Sequence, residues 1–144
     1  MTSKPKRSAP ARQEAFSRTR ADHQLELAED YVELIAELIA ERGEARGVDV
    51  ARRLGVTTAT VAKTLRRLQD DKLIEQQPYR AIFLSEAGRR MAAESRRKHD
   101  IVETFLLALG VSAPAARIDS EGLEHHVSAE TLAAMERFLK TRGG

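Results

Sequence analysis

The sequence predicts a mainly α-helical fold, and three observations lead to that class. Apolar residues recur at helical spacing over residues 22–42 and again after residue 85. Between these stretches, residues 48–68 have the pattern of two short helices separated by a glycine. Two short extended runs within residues 73–84 surround a turn and predict a hairpin.

The composition of the 144 residues is that of one compact domain or two small ones. There is no cysteine, which excludes disulfides, zinc–thiolate sites and thiol catalysis and fits a reducing cytoplasm. No apolar run is long enough to span a membrane, and the N-terminus lacks the apolar region of a secretory signal. We therefore expect a cytoplasmic protein with no membrane partner.

The first 21 residues are basic and poor in apolar side chains. They contain Pro5 and Pro10, and their lysines and arginines outnumber their acidic residues. This composition predicts a disordered basic arm over residues 1–21. Such an arm would add salt-sensitive contacts to a polyanion such as nucleic acid.

Residues 22–42 are predicted to form an amphipathic helix that Gly43 ends. Asp30 and Glu33 lie beside its apolar stripe and, being three residues apart, share a face. A solvated acidic flank is the alternative interpretation unless a partner meets these carboxylates. The predicted stripe consists of Leu27, Tyr31, Leu34, Ile35, Leu38 and Ile39.

Residues 48–68 have the pattern of a helix-turn-helix. Gly55 supplies the positive φ of a sharp turn, and Thr57 is placed to cap the second helix. The residues predicted to face inward are Val50, Ala51 and Leu54 on the first helix and Val61, Leu65 and Leu68 on the second.

The outer face of the second helix carries small, hydroxylic and cationic side chains. Small residues near its N-terminus can approach base edges, and the cations can reach phosphates or guanine. An ordinary polar helix face is the alternative, but the preceding tight turn favours DNA binding. The candidate DNA contacts on this helix are Thr57, Thr58, Ala59, Thr60, Lys63, Arg66 and Arg67.

A hairpin that follows such a helix is typical of a wing. Its predicted tip is Pro78-Tyr79-Arg80, where Arg80 could meet a phosphate. Residues 22–84 are therefore predicted to form a winged helix-turn-helix DNA-binding domain.

The remaining chain, residues 85–144, is predicted to be helical. Ser85 caps a long helix that runs to about Leu109 and carries His99 in or beside its inward stripe. A lone histidine there is more often a core residue than a ligand. The apolar end of this helix indicates burial against a second subunit. Two further helices start at Ser112 and Ser128, and we expect no SH3-like domain after them.

The stretch Glu121–His126 carries two carboxylates and two imidazoles. On a helix, Glu121, Glu124 and His125 would share one face, whereas His126 would point elsewhere. Oxygen and nitrogen donors on one face are a candidate half of a metal site. A solvated polar face is the alternative that this stretch alone leaves open.

These motifs together resemble the diphtheria toxin repressor family, and most closely its manganese transport regulator branch. The resemblance implies a homodimer of winged-helix subunits, in which residues 85–144 form a metal-binding and dimerisation domain. It covers about residues 25–141 and rests on Asp30-Tyr-Val-Glu33, the helix-turn-helix, Arg97-Lys98-His99 and Glu121-Gly-Leu-Glu-His-His126.

The resemblance also implies which residues bind metal. Hard carboxylate oxygens with two imidazoles and no sulfur suit Mn(II) better than zinc or copper. Iron-responsive relatives carry Met and Cys at the positions of Asp30 and Glu121, so these two carboxylates favour the manganese branch. The resemblance implies a binuclear site with two Mn(II) ions per subunit. The implied ligands are Asp30, Glu33, His99, Glu121, Glu124 and His125.

The expected function is Mn(II)-activated repression of manganese uptake and homeostasis genes through a palindromic double-stranded DNA operator. No catalytic activity and no small organic substrate are expected. A winged-helix regulator that responds to Fe(II) or to no metal is the first alternative. A metal-dependent hydrolase is the second, because carboxylate–histidine clusters also serve such enzymes. Metal content and Mn-dependent turnover of the purified protein separate these alternatives.

Overall fold

The computed structural model describes residues 9–77 and 80–143, except for the side chains of residues 9–11, 15–18 and 143. Over this part of the chain the fold is mainly helical, as predicted, with one small antiparallel sheet. None of its helices is long and apolar enough to cross a membrane. The elements are α1 (Ala9–Arg42), α2 (Gly47–Leu54), α3 (Thr58–Asp70), β1 (Ile74–Glu75), β2 (Phe83–Leu84), α4 (Glu86–Ala108), α5 (Ala113–Leu123) and α6 (Ala129–Gly143).

Helix α1 is longer than the sequence analysis expected. It begins at Ala9, so residues 9–21 are helical where a disordered arm was predicted. These residues are rich in alanine, arginine and other good helix formers, and Pro10 lies in the first turn, where proline is tolerated. Residues 1–8 lie outside the described part. The helix ends at Arg42, and Gly43 follows with φ of +83°, as predicted.

The helix-turn-helix forms as its sequence predicts. Gly55 has φ of +70°, and the Thr57 hydroxyl accepts the Thr60 backbone N–H at 3.2 Å. Val50 and Ala51 are buried. Leu54 is 39% exposed, so its prediction as a core residue is wrong. It is the last residue of α2, and its side chain lines a cavity beside Asp30.

The hairpin completes a winged helix-turn-helix. Glu75 pairs with Phe83 in the antiparallel register, and the Ile82 backbone N–H donates to Ala45 O at 2.8 Å. Pro78 and Tyr79 of the predicted tip lie outside the described residues. The main core beneath the wing is built from α1, α2, α3, the hairpin and the first half of α4.

Helix α4 joins this core to a second, smaller one. Ser85 caps it by accepting the Gly88 N–H at 3.0 Å, and a Cβ at Gly88 would overlap the carbonyl oxygen of Leu73. Farther along, Ile101 and Val102 pack with Leu132 of α6 in the second core. The middle of α4 therefore lies between the two cores and faces α1.

The stretch Glu121–His126 is not one continuous helix, contrary to the prediction. Helix α5 ends at Leu123, and residues 124–126 form a tight turn in which His126 N donates to Leu123 O at 3.0 Å. The next helix begins at once, with Ser128 accepting the Thr131 N–H. This turn aims Glu124 and His125 inward, toward α1 and α4, and leaves Glu121 exposed.

Candidate metal centre and DNA-binding face

A cavity of about 560 Å³ lies among α1, α4, α5 and the end of α2. Acidic side chains dominate its wall, and two arginines, Arg53 and Arg96, lie beside them. Five of the six metal ligands implied by the sequence line it, and the sixth, His125, lies directly behind Asp30 and Glu124. The five are Asp30, Glu33, His99, Glu121 and Glu124.

His99 is held at both ring nitrogens by carboxylates. Its Nδ1 lies 2.9 Å from Glu124 Oε2, and its Nε2 lies 2.8 Å from Glu103 Oε2. Burial lowers the pKa of His99, but Glu124 and Glu103 outweigh it and raise that pKa above its ordinary value. A metal that binds His99 must therefore displace one of these carboxylate contacts and a proton.

The side chain of His125 is enclosed, with 2% of its surface exposed. Its Nδ1 lies 3.3 Å from Glu29 Oε2, and its Nε2 lies 2.9 Å from Asp30 Oδ1 and 3.3 Å from Glu124 Oε1. Burial lowers the pKa of His125, yet the Asp30, Glu29 and Glu124 carboxylates raise it to about 10.

The Nε2 atom of His125 is buried without a hydrogen bond in the described structure. Its contact with Asp30 is short, but the direction is not that of a hydrogen bond. Once the ring loses its proton, this nitrogen is a buried acceptor that faces carboxylate oxygens, which is costly unless a further partner satisfies it. A cation between His125 and Asp30 would be such a partner, so the residues present fit a metal.

Glu124 reaches both histidines with its two carboxylate oxygens. Oε2 faces His99, and Oε1 faces His125. Its side chain is only 4% exposed. Burial raises its pKa to about 7, with Glu33 adding to the rise and His99 and His125 opposing it. Glu33, on α1, accepts a 2.7 Å hydrogen bond from Ser95 Oγ on α4.

Two residues that the sequence analysis did not assign hold this site in place. Glu29 is buried at 5% exposure and joins His125 to Lys98, whose Nζ lies 3.7 Å away. Ser95 fixes Glu33. The spacing of α1 does not mark Glu29 as a core position, because its cover comes from the distant turn at residues 124–126.

The candidate DNA-binding face lies on α3. All seven of its candidate residues, Thr57 to Thr60, Lys63, Arg66 and Arg67, are exposed. The three cations make no ion pair within the described part of the chain, which leaves their charge available to phosphates. The Thr57 and Thr60 hydroxyls lie 2.9 Å apart at the N-terminus of the helix. Arg80 is exposed in the wing.

Comparison with protein families agrees with this architecture. Residues 24–82 match the model "Iron dependent repressor, N-terminal DNA binding domain". Residues 85–142 match "Iron dependent repressor, metal binding and dimerisation domain". The transcriptional regulator MntR of Escherichia coli O6:H1 is 55% identical over 130 residues, which cover 90% of this chain and 84% of that protein.

The chain belongs to the diphtheria toxin repressor family, in its MntR branch. A more distant relative, the HTH-type transcriptional regulator MntR of Bacillus subtilis, is 36% identical over 100 residues, or 69% of this chain and 70% of that protein. Among solved structures, a "Manganese-dependent transcriptional repressor complex with manganese" matches with TM-score 0.70 and 30% identity. This match covers 78% of this chain and 52% of that one, so the chain spans about half the length of that solved relative.

Membership of this family confirms the main functional interpretation of the sequence. The protein is a metal-dependent, DNA-binding transcriptional repressor that works as a homodimer, and it is not an enzyme. A divalent metal is its cofactor. Exposed apolar residues on the second unit are consistent with a dimer surface, among them Leu107, Leu109, Ile118, Leu123 and Phe138.

Proposed function

We propose that this protein represses manganese uptake genes in the cytoplasm when Mn(II) binds the acidic cavity. One observation carries the proposal: carboxylates of α1, in the DNA-binding unit, face imidazoles and carboxylates of the dimerisation unit across that cavity. A divalent cation held by both groups would fix one unit relative to the other. The relatives named MntR and the solved manganese-dependent repressor support manganese as the ion.

The six proposed ligands divide into two groups. His125 and Asp30 lie at one end, where Nε2 and Oδ1 are 2.9 Å apart. Glu33 of α1 and His99 of α4 also line the cavity, and Glu121 lies at its exposed rim. Glu124 faces both ends, one oxygen to each histidine. This arrangement supports two ions per subunit, with Glu124 as a bridging ligand.

The chemistry of the donors supports Mn(II) over softer ions. Four carboxylates and two imidazoles form a hard donor set that contains no sulfur. A bound divalent cation would supply the positive charge that lets these carboxylates lie together. Without a cation, bound protons offset part of this negative charge, because the pKa of Glu124 is raised to about 7 and that of His125 to about 10.

Repression would follow because these side chains, when they bind metal, fix the position of the recognition helix α3. Asp30 and Glu33 lie on α1, which packs directly against the helix-turn-helix. When they share cations with His99, Glu124 and His125, the recognition helix is fixed relative to the dimerisation unit. In a two-fold dimer the two recognition helices then meet major grooves about 34 Å apart on a palindromic operator.

The DNA contacts are proposed to come from α3 and the wing. Thr58, Ala59 and Thr60 lie at the exposed start of the helix, where side chains can reach base edges. Lys63, Arg66 and Arg67 follow on the same helix, and Arg80 lies in the wing. Thr57 caps α3 through its side chain, so we assign it a supporting position beside the bases.

Selection of DNA from a random duplex library, with Mn(II) or with a chelator, tests this function. We expect Mn(II) to enrich a palindrome whose half-sites are spaced by about one helical turn or a multiple of it. Fe(II) without oxygen, and Zn(II), serve as comparison ions. Equal enrichment with chelator, or no enrichment with any metal, would contradict the proposal.

A further inference from the structure

A further acidic side chain, outside the six proposed ligands, lies beside Asp30 and His125. Glu26 is on α1, one helical turn before Asp30. Glu26, Asp30 and His125 each place one donor atom within 4.8 Å of the other two. These three residues come from two segments that are far apart in the sequence, so their meeting is a property of the fold.

A second observation indicates that this group binds a ligand. The Nε2 atom of His125 has no hydrogen bond within the described residues, and the His125 side chain is 2% exposed. That atom faces the carboxylate of Asp30, which is itself a member of the group that contains Glu26. A cation there would be bound by the His125 nitrogen and by carboxylate oxygens of Glu26 and Asp30, which lie on successive turns of α1.

The Glu26 carboxylate also has two imidazole neighbours on its outer side. His126 Nε2 lies 3.7 Å from Glu26 Oε2, and His23 Nδ1 lies 4.0 Å from the same oxygen. The Glu26 side chain is a quarter exposed, whereas those of His126 and His23 are mostly exposed. These contacts hold Glu26 near His125 and still leave it free to turn toward an ion.

We propose that Glu26 is a further ligand of the ion held by Asp30 and His125. This inference rests on the proposed function, because it adds a ligand to the same metal centre. Mn(II) takes octahedral, oxygen-rich coordination, and Asp30, Glu124 and His125 alone would not fill six positions. Glu26 would supply an oxygen from the solvent side of that ion, and the second ion, near Glu33 and His99, would not depend on it.

Glu26→Gln tests this inference, with Glu14→Gln as the matched control. Glu14 is exposed on the same helix, several turns away, so its variant makes the same change in charge. Calorimetric titration with Mn(II) should show one ion bound at least about tenfold more weakly in Glu26→Gln and the other ion unchanged. Any smaller loss, or an equal loss for both ions, would overturn the assignment.

Thermal unfolding of the metal-free proteins separates ligation from a structural role. Removing one carboxylate from an acidic cluster should leave the metal-free unfolding temperature unchanged or raise it. Only the increase in that temperature caused by Mn(II) should shrink. A lower unfolding temperature without metal would overturn the assignment.

The wild-type titration separates this inference from the proposed function. If wild type binds no Mn(II), both fail. If wild type binds Mn(II) and Glu26→Gln binds it as Glu14→Gln does, only the role of Glu26 fails.

Discussion

His125 Nε2 lies 2.9 Å from Asp30 Oδ1, although the two residues belong to units with separate hydrophobic cores. Asp30 is on α1, whose apolar face is part of the DNA-binding core. His125 is in the turn between α5 and α6, beside the second core. A cation that binds both residues therefore acts on the joint between the two units, which is where a metal can change the position of the recognition helix.

Asp30→Asn should uncouple DNA binding from Mn(II). The amide keeps the shape of the side chain but removes the negative charge, so the ion that it shares with His125 should bind at least about tenfold more weakly. Fluorescence anisotropy of a labelled operator should then show little increase in affinity on adding Mn(II). Asp22→Asn, an exposed change on the same helix, is the control. Full Mn(II) response in Asp30→Asn would contradict the proposed joint.

Mn(II) affinity should increase with pH. The His125 pKa is raised to about 10 and the Glu124 pKa to about 7, so near neutral pH the first is protonated and the second is partly so. Both must lose their protons to bind metal. Raising the pH from 6 to 8 weakens this competition, because fewer protons are available to His125 and Glu124, so the affinity rises by about tenfold or more per pH unit.

Calorimetry in buffers with different ionisation heats measures the protons released when Mn(II) binds. About one to two protons per subunit should be released near pH 7 from these two groups. No proton release, together with an affinity that does not change between pH 6 and 8, would show that these residues are not the ligands.

Lys63→Ala and Arg67→Ala should weaken operator binding and leave the metal centre intact. Both side chains are exposed on α3, away from the acidic cavity. Loss of Arg67 should cost about 1–3 kcal/mol of DNA-binding free energy if Arg67 contacts a base. Loss of Lys63 should remove one phosphate contact and so lower the slope of log affinity against log salt concentration by about one. Arg137→Ala, exposed on α6, is the control. A parallel loss of Mn(II) affinity would indicate damage to the fold instead.

Glu121→Cys should broaden the metal response toward softer ions. Glu121 lies at the exposed rim of the cavity, and a thiolate there favours ions such as Zn(II) over Mn(II). Operator binding measured with each ion should show a gain for Zn(II) relative to Mn(II). Asp119→Cys, exposed on the same helix, introduces the same thiol away from the cavity. An identical metal profile in both variants would count against Glu121 as a ligand.

The helix-turn-helix could be predicted from local sequence because each of its signals is local. Gly55 takes the positive φ that the turn needs, and Thr57 caps the helix that follows it. Helix α4 likewise starts where Ser85 predicts. Leu54 was wrongly predicted as buried because its apolar side chain does not show that α2 ends there, at the edge of a polar cavity.

The metal centre could be predicted only in part. Periodicity placed Asp30 and Glu33 on one face, but nothing local shows that the turn at residues 124–126 covers that face. The end of α5 at Leu123 is equally hidden, because no glycine or proline directly follows it and only tertiary packing turns Glu124 and His125 inward. Glu29 and Ser95 gain their roles from the same long-range contacts.

Operator affinity of the wild-type protein, with saturating Mn(II) and with chelator, tests the central claim most directly. Anisotropy with the palindromic duplex obtained by selection gives both dissociation constants at one salt concentration. Coupling of about 1–3 kcal/mol predicts binding that is roughly 5 to 150 times tighter with Mn(II) than with chelator. Equal dissociation constants in the two conditions would contradict the claim that metal in this cavity controls DNA binding.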